Sequence, residues 1–250
     1  FMCGDTIKLQ LNEYEDEFKN FMGITRFPMY KLQTKKVSLN LAERQGYEVL
    51  ASASYQPQTN SHTLIVTTNL PLSKHLLFHE FTHMFDVEMY VNGNKIRYAG
   101  ISGFTEYHAS QIELMQLLGA KYITDTVSFS MNTIIDTLTG KKSVSQYLNE
   151  KQQHTIQLFN RNSFPDDLST LKTAIGLLYN YWGIRSVCEM YSTNYTETIA
   201  NDAFLSFIPN FDFSAANRLM HGWLDGKSIE SSITLYFNIL FPLIKNFKLA

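Results

Sequence analysis

The chain has 250 residues, of which 44% are hydrophobic and 18% are charged, and its formal net charge is −2. This composition supports a sizeable folded core and excludes an intrinsically disordered chain. It also argues against a nucleic-acid-binding protein, because the sequence contains no basic patch and no block of like charges. We therefore expect one large domain or two small ones. The sequence gives no indication of the oligomeric state.

Cysteine usage and hydropathy predict a cytoplasmic protein with no membrane partner. The two cysteines, Cys3 and Cys188, form no CxxC pair, so neither a disulfide framework nor a zinc ribbon is expected. We interpret them as reduced thiols in a reducing compartment. The first residues lack a charged-then-apolar signal layout. No apolar run reaches the roughly 18 residues that a membrane-spanning helix needs.

The first 70 residues predict a small β-sheet after an ambiguous start. Residues 6–22 first alternate like a strand and then take on the spacing of an amphipathic helix. A short strand is predicted within residues 36–44. Two β-rich runs, at about 48–56 and 62–68, flank the turn-rich stretch QPQTNS, and we interpret them as a hairpin.

Two helices are predicted to follow the hairpin. The stretch from Asn69 to Ser73 contains Pro71 and is typical of a helix start, and this helix should run to about Tyr90. The segment VNGNKIRYAGISG is interpreted as a turn-rich connector. A second helix is predicted over about 103–119, with Gly119 as its C-cap.

Everything after about residue 121 has helical spacing, interrupted at 165–167 and 226–228 by residues suited to N-caps. The predicted fold class is therefore α+β. A small zincin-like mixed sheet and two site-bearing helices would precede a mostly helical C-terminal half. We expect a metal-binding subdomain over 1–120 and a helical subdomain over 121–250 that closes the cleft, unless the two form one continuous domain.

Residues 79–83 read HEFTH, and this spacing predicts a metal site. On a helix, His79 and His83 differ by only about 40° in direction, so both imidazoles can reach one ion. Zinc accepts neutral nitrogen ligands at about 2.0–2.1 Å. Glu80 points about 100° away from His79, where it can take a proton from a water that zinc activates. The alternative is a chance motif on a core helix.

The rest of this helix favours the metal site over the chance motif. The apolar stripe consists of Leu77, Phe81, Met84 and Phe85. The histidines lie off that stripe. Asp86 follows His83 by three residues and is either a partner that orients an imidazole or a solvated turn residue. His75, one turn before His79, is interpreted as a rim residue rather than a ligand.

A catalytic zinc site needs a third protein ligand and one open position, and the next helix offers candidates. Glu106, Ser110 and Glu113 fall within about 60° of one another, as either a ligand face or a solvated edge. We favour Glu106 as the ligand, because Ala109 and Ser110 are small enough for close approach to the first helix. Glu113 is either the alternative ligand or the acceptor of a hydrogen bond from a liganding imidazole. His108 points away from this face.

These motifs resemble the gluzincin family of zinc metallopeptidases, in which HExxH is followed by a glutamate ligand on the next helix. The order is similar to that of small bacterial and phage-associated zincin domains, the repressor-cleaving and radiation-response peptidases. Those usually continue Glu-x-x-Ala-Asn-x-Phe-Ala, whereas residues 106–113 read EYHASQIE, which keeps only the glutamate and the first alanine. They also commonly have Leu-Gly where this chain has Phe-Thr. The resemblance covers about residues 48–118.

The resemblance implies a zinc metallopeptidase that hydrolyses a peptide or protein substrate. Glu80 would be catalytic, and His79, His83 and Glu106 would bind Zn²⁺. The strand before the helix would be an edge that pairs with an extended substrate. Its edge residues would be Thr63, Ile65 and Thr67, or the alternate set.

The helical half of such enzymes often supplies an oxyanion donor, for which the candidates are His221, Tyr191 and Tyr181. A rival interpretation is a non-catalytic zincin-fold sensor or protein-binding module of a mobile genetic element. Glu80 argues against this rival, since a purely structural metal site does not need a carboxylate beside the first ligand.

Overall fold

The structure is a computed structural model that describes residues 4–37, 50–161, 164, 167–197, 208 and 210–244. Within these residues the chain forms seven helices and five strands, which confirms the α+β class. The helices are α1 (Gly4–Met22), α2 (Lys74–Tyr90), α3 (Lys95–Leu117), α4 (Val144–Phe159), α5 (Leu168–Tyr191), α6 (Phe213–Leu219) and α7 (Gly226–Ile244). The strands are β1 (Tyr30–Lys35), β2 (Ala51–Gln56), β3 (Ser61–Thr67), β4 (Ile134–Thr137) and β5 (Gly140–Ser143).

The chain divides into two compact units. The first unit contains Phe1–Tyr98 and Ile112–Asp125, and the second contains Ala99–Gln111 and Thr126–Ala250. Helix α3 is continuous and contributes residues to both units. The division predicted from the sequence at residue 120 stays a prediction. Among the described helices, none combines the length and the hydropathy that a membrane span requires.

The first unit contains a mixed three-stranded sheet in the order β1-β3-β2. The predicted hairpin is confirmed, because β2 pairs with β3 antiparallel and Ala53 lies opposite Leu64. Strand β1 pairs with β3 in parallel. The predicted substrate edge at Thr63, Ile65 and Thr67 is therefore wrong, since these residues belong to the central strand and have a neighbour on each side.

Helix α1 includes all of residues 6–22. Its buried residues are Ile7, Leu11, Phe18 and Phe21. This spacing has the period of a helix rather than the alternation of a strand, which resolves the ambiguity of residues 6–22. Phe18 packs edge-to-face on Phe78 and Phe81 of α2, with ring centroids 5.3 and 5.6 Å apart. Most of the strand predicted over 36–44 lies outside the described residues, and β1 ends just before it.

Helix α2 follows the sequence prediction closely. It begins after Ser73 and ends at Tyr90. Leu77, Phe81 and Met84 are buried, as their stripe predicts, while Phe85 is half-buried. This apolar face holds α2 against α1 and β2. The histidines consequently lie on a helix whose position is fixed by core packing.

Helix α3 begins at Lys95, eight residues earlier than predicted, so much of the expected connector is helical. Asn94 supplies the cap, since its side chain accepts a hydrogen bond from the Arg97 N–H at 3.0 Å. Gly103 does not break the helix. A Cβ at that position would lie 2.6 Å from the Tyr179 ring, so glycine is required there by close helix packing.

The end of α3 is the glycine cap that the sequence predicts. Gly119 has a φ of +81°, a left-handed conformation that favours glycine. Its N–H donates to the Gln116 carbonyl, and the Ala120 N–H donates to the Met115 carbonyl, each at 3.0 Å. This pair of bonds is the Schellman arrangement, and it stops the helix at Leu117.

The predicted helices of the second unit are present, but residues 134–143 are not helical. They make the antiparallel hairpin β4-β5, in which Ile134 lies opposite Ser143. The turn depends on Gly140, whose φ is +103°. The prediction that everything after residue 121 is helical is therefore wrong here, because the turn glycine and the alternating burial of β4 indicate a hairpin.

Candidate metal centre

Helices α2 and α3 bring three metal-ligand side chains together. One ligand atom each of His79, His83 and Glu106 lies within 4.8 Å of the other two. Ligands that share a tetrahedral zinc at about 2.0–2.1 Å lie about 3.3 Å from one another, so a spacing of up to 4.8 Å is somewhat wider than in a zinc-bound site. These are the three ligands that the sequence predicts. Glu113 is not among them.

The two histidines are placed by helix geometry alone. They lie four residues apart on α2, and their ring centroids are 4.8 Å apart with the planes at 79°. This spacing puts both imidazoles on one face of a continuous helix. The helix therefore presents two nitrogen donors to one point without any special backbone conformation.

Glu113 contacts the first histidine from the far end of α3. Its Oε2 atom lies 3.0 Å from Nδ1 of His79, and its side chain is buried. A carboxylate accepts this hydrogen bond only when Nδ1 carries the hydrogen, which leaves Nε2 of His79 with a lone pair for a metal. The contact that the sequence suggested as one of two roles for Glu113 is thus present.

Glu80 is directed toward the sheet. Its Oε2 atom accepts a hydrogen bond from the backbone N–H of Ala53 in β2, with an N···O distance of 2.6 Å. Both residues are half-buried. As its angular offset from His79 predicts, Glu80 does not join the ligand cluster. Its carboxylate is thus bonded to strand β2.

The structure also shows the surroundings of Asp86 and His75, two other polar residues of α2. Asp86 is completely buried, so its interpretation as a solvated turn residue is wrong. His75 lies at the start of the helix, where its Nδ1 atom is 3.0 Å from the Ser73 hydroxyl. It stands outside the ligand cluster, as expected for a rim residue.

Ser110 serves helix packing in the second unit. Its hydroxyl donates to Oδ1 of Asn180 on α5 at 2.7 Å. A Cβ placed at Gly183 would lie 2.9 Å from the Ser110 Cβ and 2.2 Å from the Tyr107 carbonyl oxygen, so α3 and α5 are in close contact. Ser110 was expected to allow the close approach of α2, whereas in the structure it allows the close approach of α5. The solvated-edge interpretation is wrong, because Ser110 and Glu113 are both buried.

Glu106 lies against α5 and near α7 within the second unit. A Cβ at Gly176 would be 3.6 Å from the Glu106 Oε1 atom, an ordinary van der Waals contact. Burial, above all, raises the pKa of Tyr236 on α7 to about 12, and the negative charge of Glu106 adds to this effect. The hydrogen bond with Ser102 acts in the opposite direction. Glu106 is thus a carboxylate with a buried phenol in its surroundings.

The candidate oxyanion donors Tyr191 and His221 lie far from Glu106. Helix α5 rises about 1.5 Å per residue, so Tyr191 is about 22 Å along the axis from Gly176, where Glu106 packs. His221 contacts Glu189 at 2.8 Å, about 20 Å along the same axis. These distances argue against both residues as oxyanion donors.

Tyr181, the third candidate, is 1% exposed. Burial raises its pKa far above the usual range. Its hydroxyl lies in the interior of the second unit, where a substrate does not reach it.

Sequence reasoning missed the residues that bond to Glu80 and to helix α3 from distant parts of the chain. Ala53 contributes only its backbone, so no side-chain motif marks it. Asn180 and Tyr236 lie on helices that come long after the motif, and nothing in their local sequence indicates contact with α3. The alternation of the strand around Ala53 was the usable signal. Every second residue of a strand directs its peptide N–H to the same edge of the strand.

The family to which the chain belongs stays a prediction from its motif residues. No protein-family model, curated protein or solved structure matches the chain.

Proposed function

We propose that this protein is a gluzincin-type zinc metallopeptidase that hydrolyses peptide bonds. One observation carries the proposal: His79, His83 and Glu106 offer ligand atoms within 4.8 Å of one another, on two consecutive helices. Glu80, next to the first ligand, keeps its carboxylate outside this cluster. A site with three protein ligands and a separate carboxylate suits catalysis better than a structural metal site, which fills all four positions.

The donor set fits zinc. Two imidazole nitrogens and one carboxylate oxygen are the ligands of known catalytic zinc sites, and they leave one position open. Zinc bound there would polarise the scissile carbonyl and activate the attacking water. Two histidines and one carboxylate also suit Fe²⁺. The HExxH spacing on one helix is what favours zinc.

The residues of the chain have distinct roles in this proposal. Glu80 takes a proton from the attacking water and delivers it to the leaving amine nitrogen. His79 and His83 offer neutral nitrogens, and Glu113 keeps the hydrogen of His79 on Nδ1. Glu106 supplies the negative charge that balances part of the metal charge.

Strand β2, rather than β3, is the edge on which we place the extended substrate. The Thr67 N–H donates to the Leu50 carbonyl at 2.8 Å, so this opposed pair is hydrogen-bonded. In an antiparallel ladder such pairs alternate with pairs whose peptide groups point away from the partner strand. Ala51 and Tyr55 therefore direct their peptide N–H and carbonyl groups outward, where a substrate strand can pair with them. Ala53 offers only its carbonyl, because its N–H is bonded to Glu80.

The test is cleavage of a broad peptide library by zinc-loaded protein and by its Glu80→Gln variant. We expect products from the first and at least about a hundredfold less from the second, at equal metal content, because glutamine keeps the size of the side chain but not its basicity. Equal turnover by both would remove Glu80 from the mechanism. A zinc-loaded protein that cleaves nothing would contradict the proposal and favour the non-catalytic module.

We also propose that the protein is cytoplasmic. Cys188 is a free, buried thiol, and burial raises its pKa to about 12. A thiol outside any disulfide suits the reducing cytoplasm predicted from the cysteine usage.

A further inference from the structure

The hydrogen bond between Glu80 and Ala53 joins the two parts of the proposed site. Glu80 belongs to α2, the helix of the histidines, and Ala53 belongs to β2, the edge on which the substrate is placed. The distance of 2.6 Å is short even for a bond to a charged acceptor. Ala53 lies opposite Leu64 at a position whose N–H faces away from β3, so this N–H is not part of the sheet ladder.

We propose that the backbone N–H of Ala53 is the positioning group of Glu80. This inference rests on the proposed function, because it assigns a task to the general base. A glutamate side chain has three rotatable bonds, and a base that must reach one water gains from being held in one orientation. The same bond links the histidine helix, which core packing holds in place, to the substrate edge.

Backbone positioning has a specific consequence for substitutions. No substitution at residue 53 other than proline removes the donor, and alanine scanning passes over a residue that is already alanine. Proline removes it, and proline is tolerated on edge strands where the N–H faces outward. Ala51 is the matched control. Its N–H faces the same way on the same strand, whereas the N–H that bonds to Glu80 is that of Ala53.

Amide hydrogen exchange measured by NMR tests the bond without any need for turnover or metal. We expect the Ala53 amide to exchange at least about tenfold faster in Glu80→Ala than in the unmodified protein, since bonds to charged groups are among the stronger ones. The Ala51 amide should exchange at the same rate in both. Equal Ala53 rates in the two proteins would overturn the inference, whether or not the protein proves to be a peptidase.

Turnover of Ala53→Pro then tests the positioning role. We expect metal content and thermal stability close to those of Ala51→Pro, with kcat lowered at least about tenfold and KM changed less. A folded Ala53→Pro protein with unchanged kcat would overturn the role. If the proline variant does not fold, Glu80→Asp replaces it: the shortened carboxylate should release the Ala53 amide and lower kcat, and retention of both would contradict the inference.

Discussion

Nδ1 of His79 lies 3.0 Å from Oε2 of Glu113, and Glu113 is seven residues beyond Glu106 on the same helix. Seven residues span about 10 Å of α3, so one helix can offer a carboxylate to the metal and another to the ring that binds it. The sequence left these two acids as alternatives for one role. In the structure they have different surroundings, with Glu113 buried and Glu106 half-buried within the ligand cluster.

The first prediction concerns metal content. Protein incubated with zinc and freed of excess should retain about one zinc per chain by elemental analysis, since three ligands converge on one point. His83→Ala and Glu106→Gln should each lower zinc affinity strongly, because each removes a ligand. A protein that emerges without metal, or one in which Glu106→Gln binds as tightly as the unmodified chain, would contradict the ligand assignment.

The second prediction separates the orienting carboxylate from the ligands. Glu113→Gln keeps an oxygen that can accept from His79 but loses the charge, so we expect zinc affinity to fall about 10–100-fold without loss of stoichiometry. Isothermal titration measures both quantities. Ser110→Ala is the control on the same helix, because its hydroxyl bonds to Asn180 and its loss should leave zinc affinity unchanged. Equal effects of the two substitutions would mean that helix distortion, and not the carboxylate, determines affinity.

The sequence predicted what depends on local periodicity and missed what depends on contacts between distant segments. The HExxH face, the hairpin and the end of α3 at Gly119 were predictable because neighbouring residues determine them. The central position of β3 in the sheet was not predictable, because residues 30–35 become its parallel partner only after the chain has folded back. The roles of Ser110 and Glu113 depended likewise on α5 and α2, which lie far from them in sequence.

The third prediction tests the close contact between α3 and α5. Gly183→Ala should destabilise the protein by about 1–3 kcal/mol, because the new Cβ would meet the backbone oxygen of Tyr107 at 2.2 Å and backbone cannot rotate away. Gly176→Ala is the matched control on the same helix. Its nearest neighbour would be 3.6 Å away, so the higher helix propensity of alanine should make it neutral or slightly stabilising. Urea unfolding measures both, and equal effects would contradict the close contact.

The fourth prediction is a pH dependence of stability from His62, which lies at the start of β3. Its side chain is almost fully buried, its Nδ1 atom has no hydrogen-bond partner among the described residues, and its Nε2 atom is 3.3 Å from Oε2 of Glu88. Burial lowers the pKa of His62 below 6.5, and Glu88 opposes the shift only in part. The Tyr55 ring packs against the His62 ring, and the two ring centroids are 4.9 Å apart.

The sign of this dependence follows from proton binding in the two states. Below about pH 6.5 the unfolded chain protonates this histidine while the folded protein does not, so the free energy of unfolding falls as the pH falls toward the folded pKa. We therefore expect His62→Phe, which keeps a ring against Tyr55, to lose less stability than the unmodified protein between pH 7 and pH 5. Urea unfolding at the two pH values measures the difference, since the other titrating groups are common to both proteins. Parallel losses in the two proteins would show that His62 does not titrate differently in the folded and unfolded states.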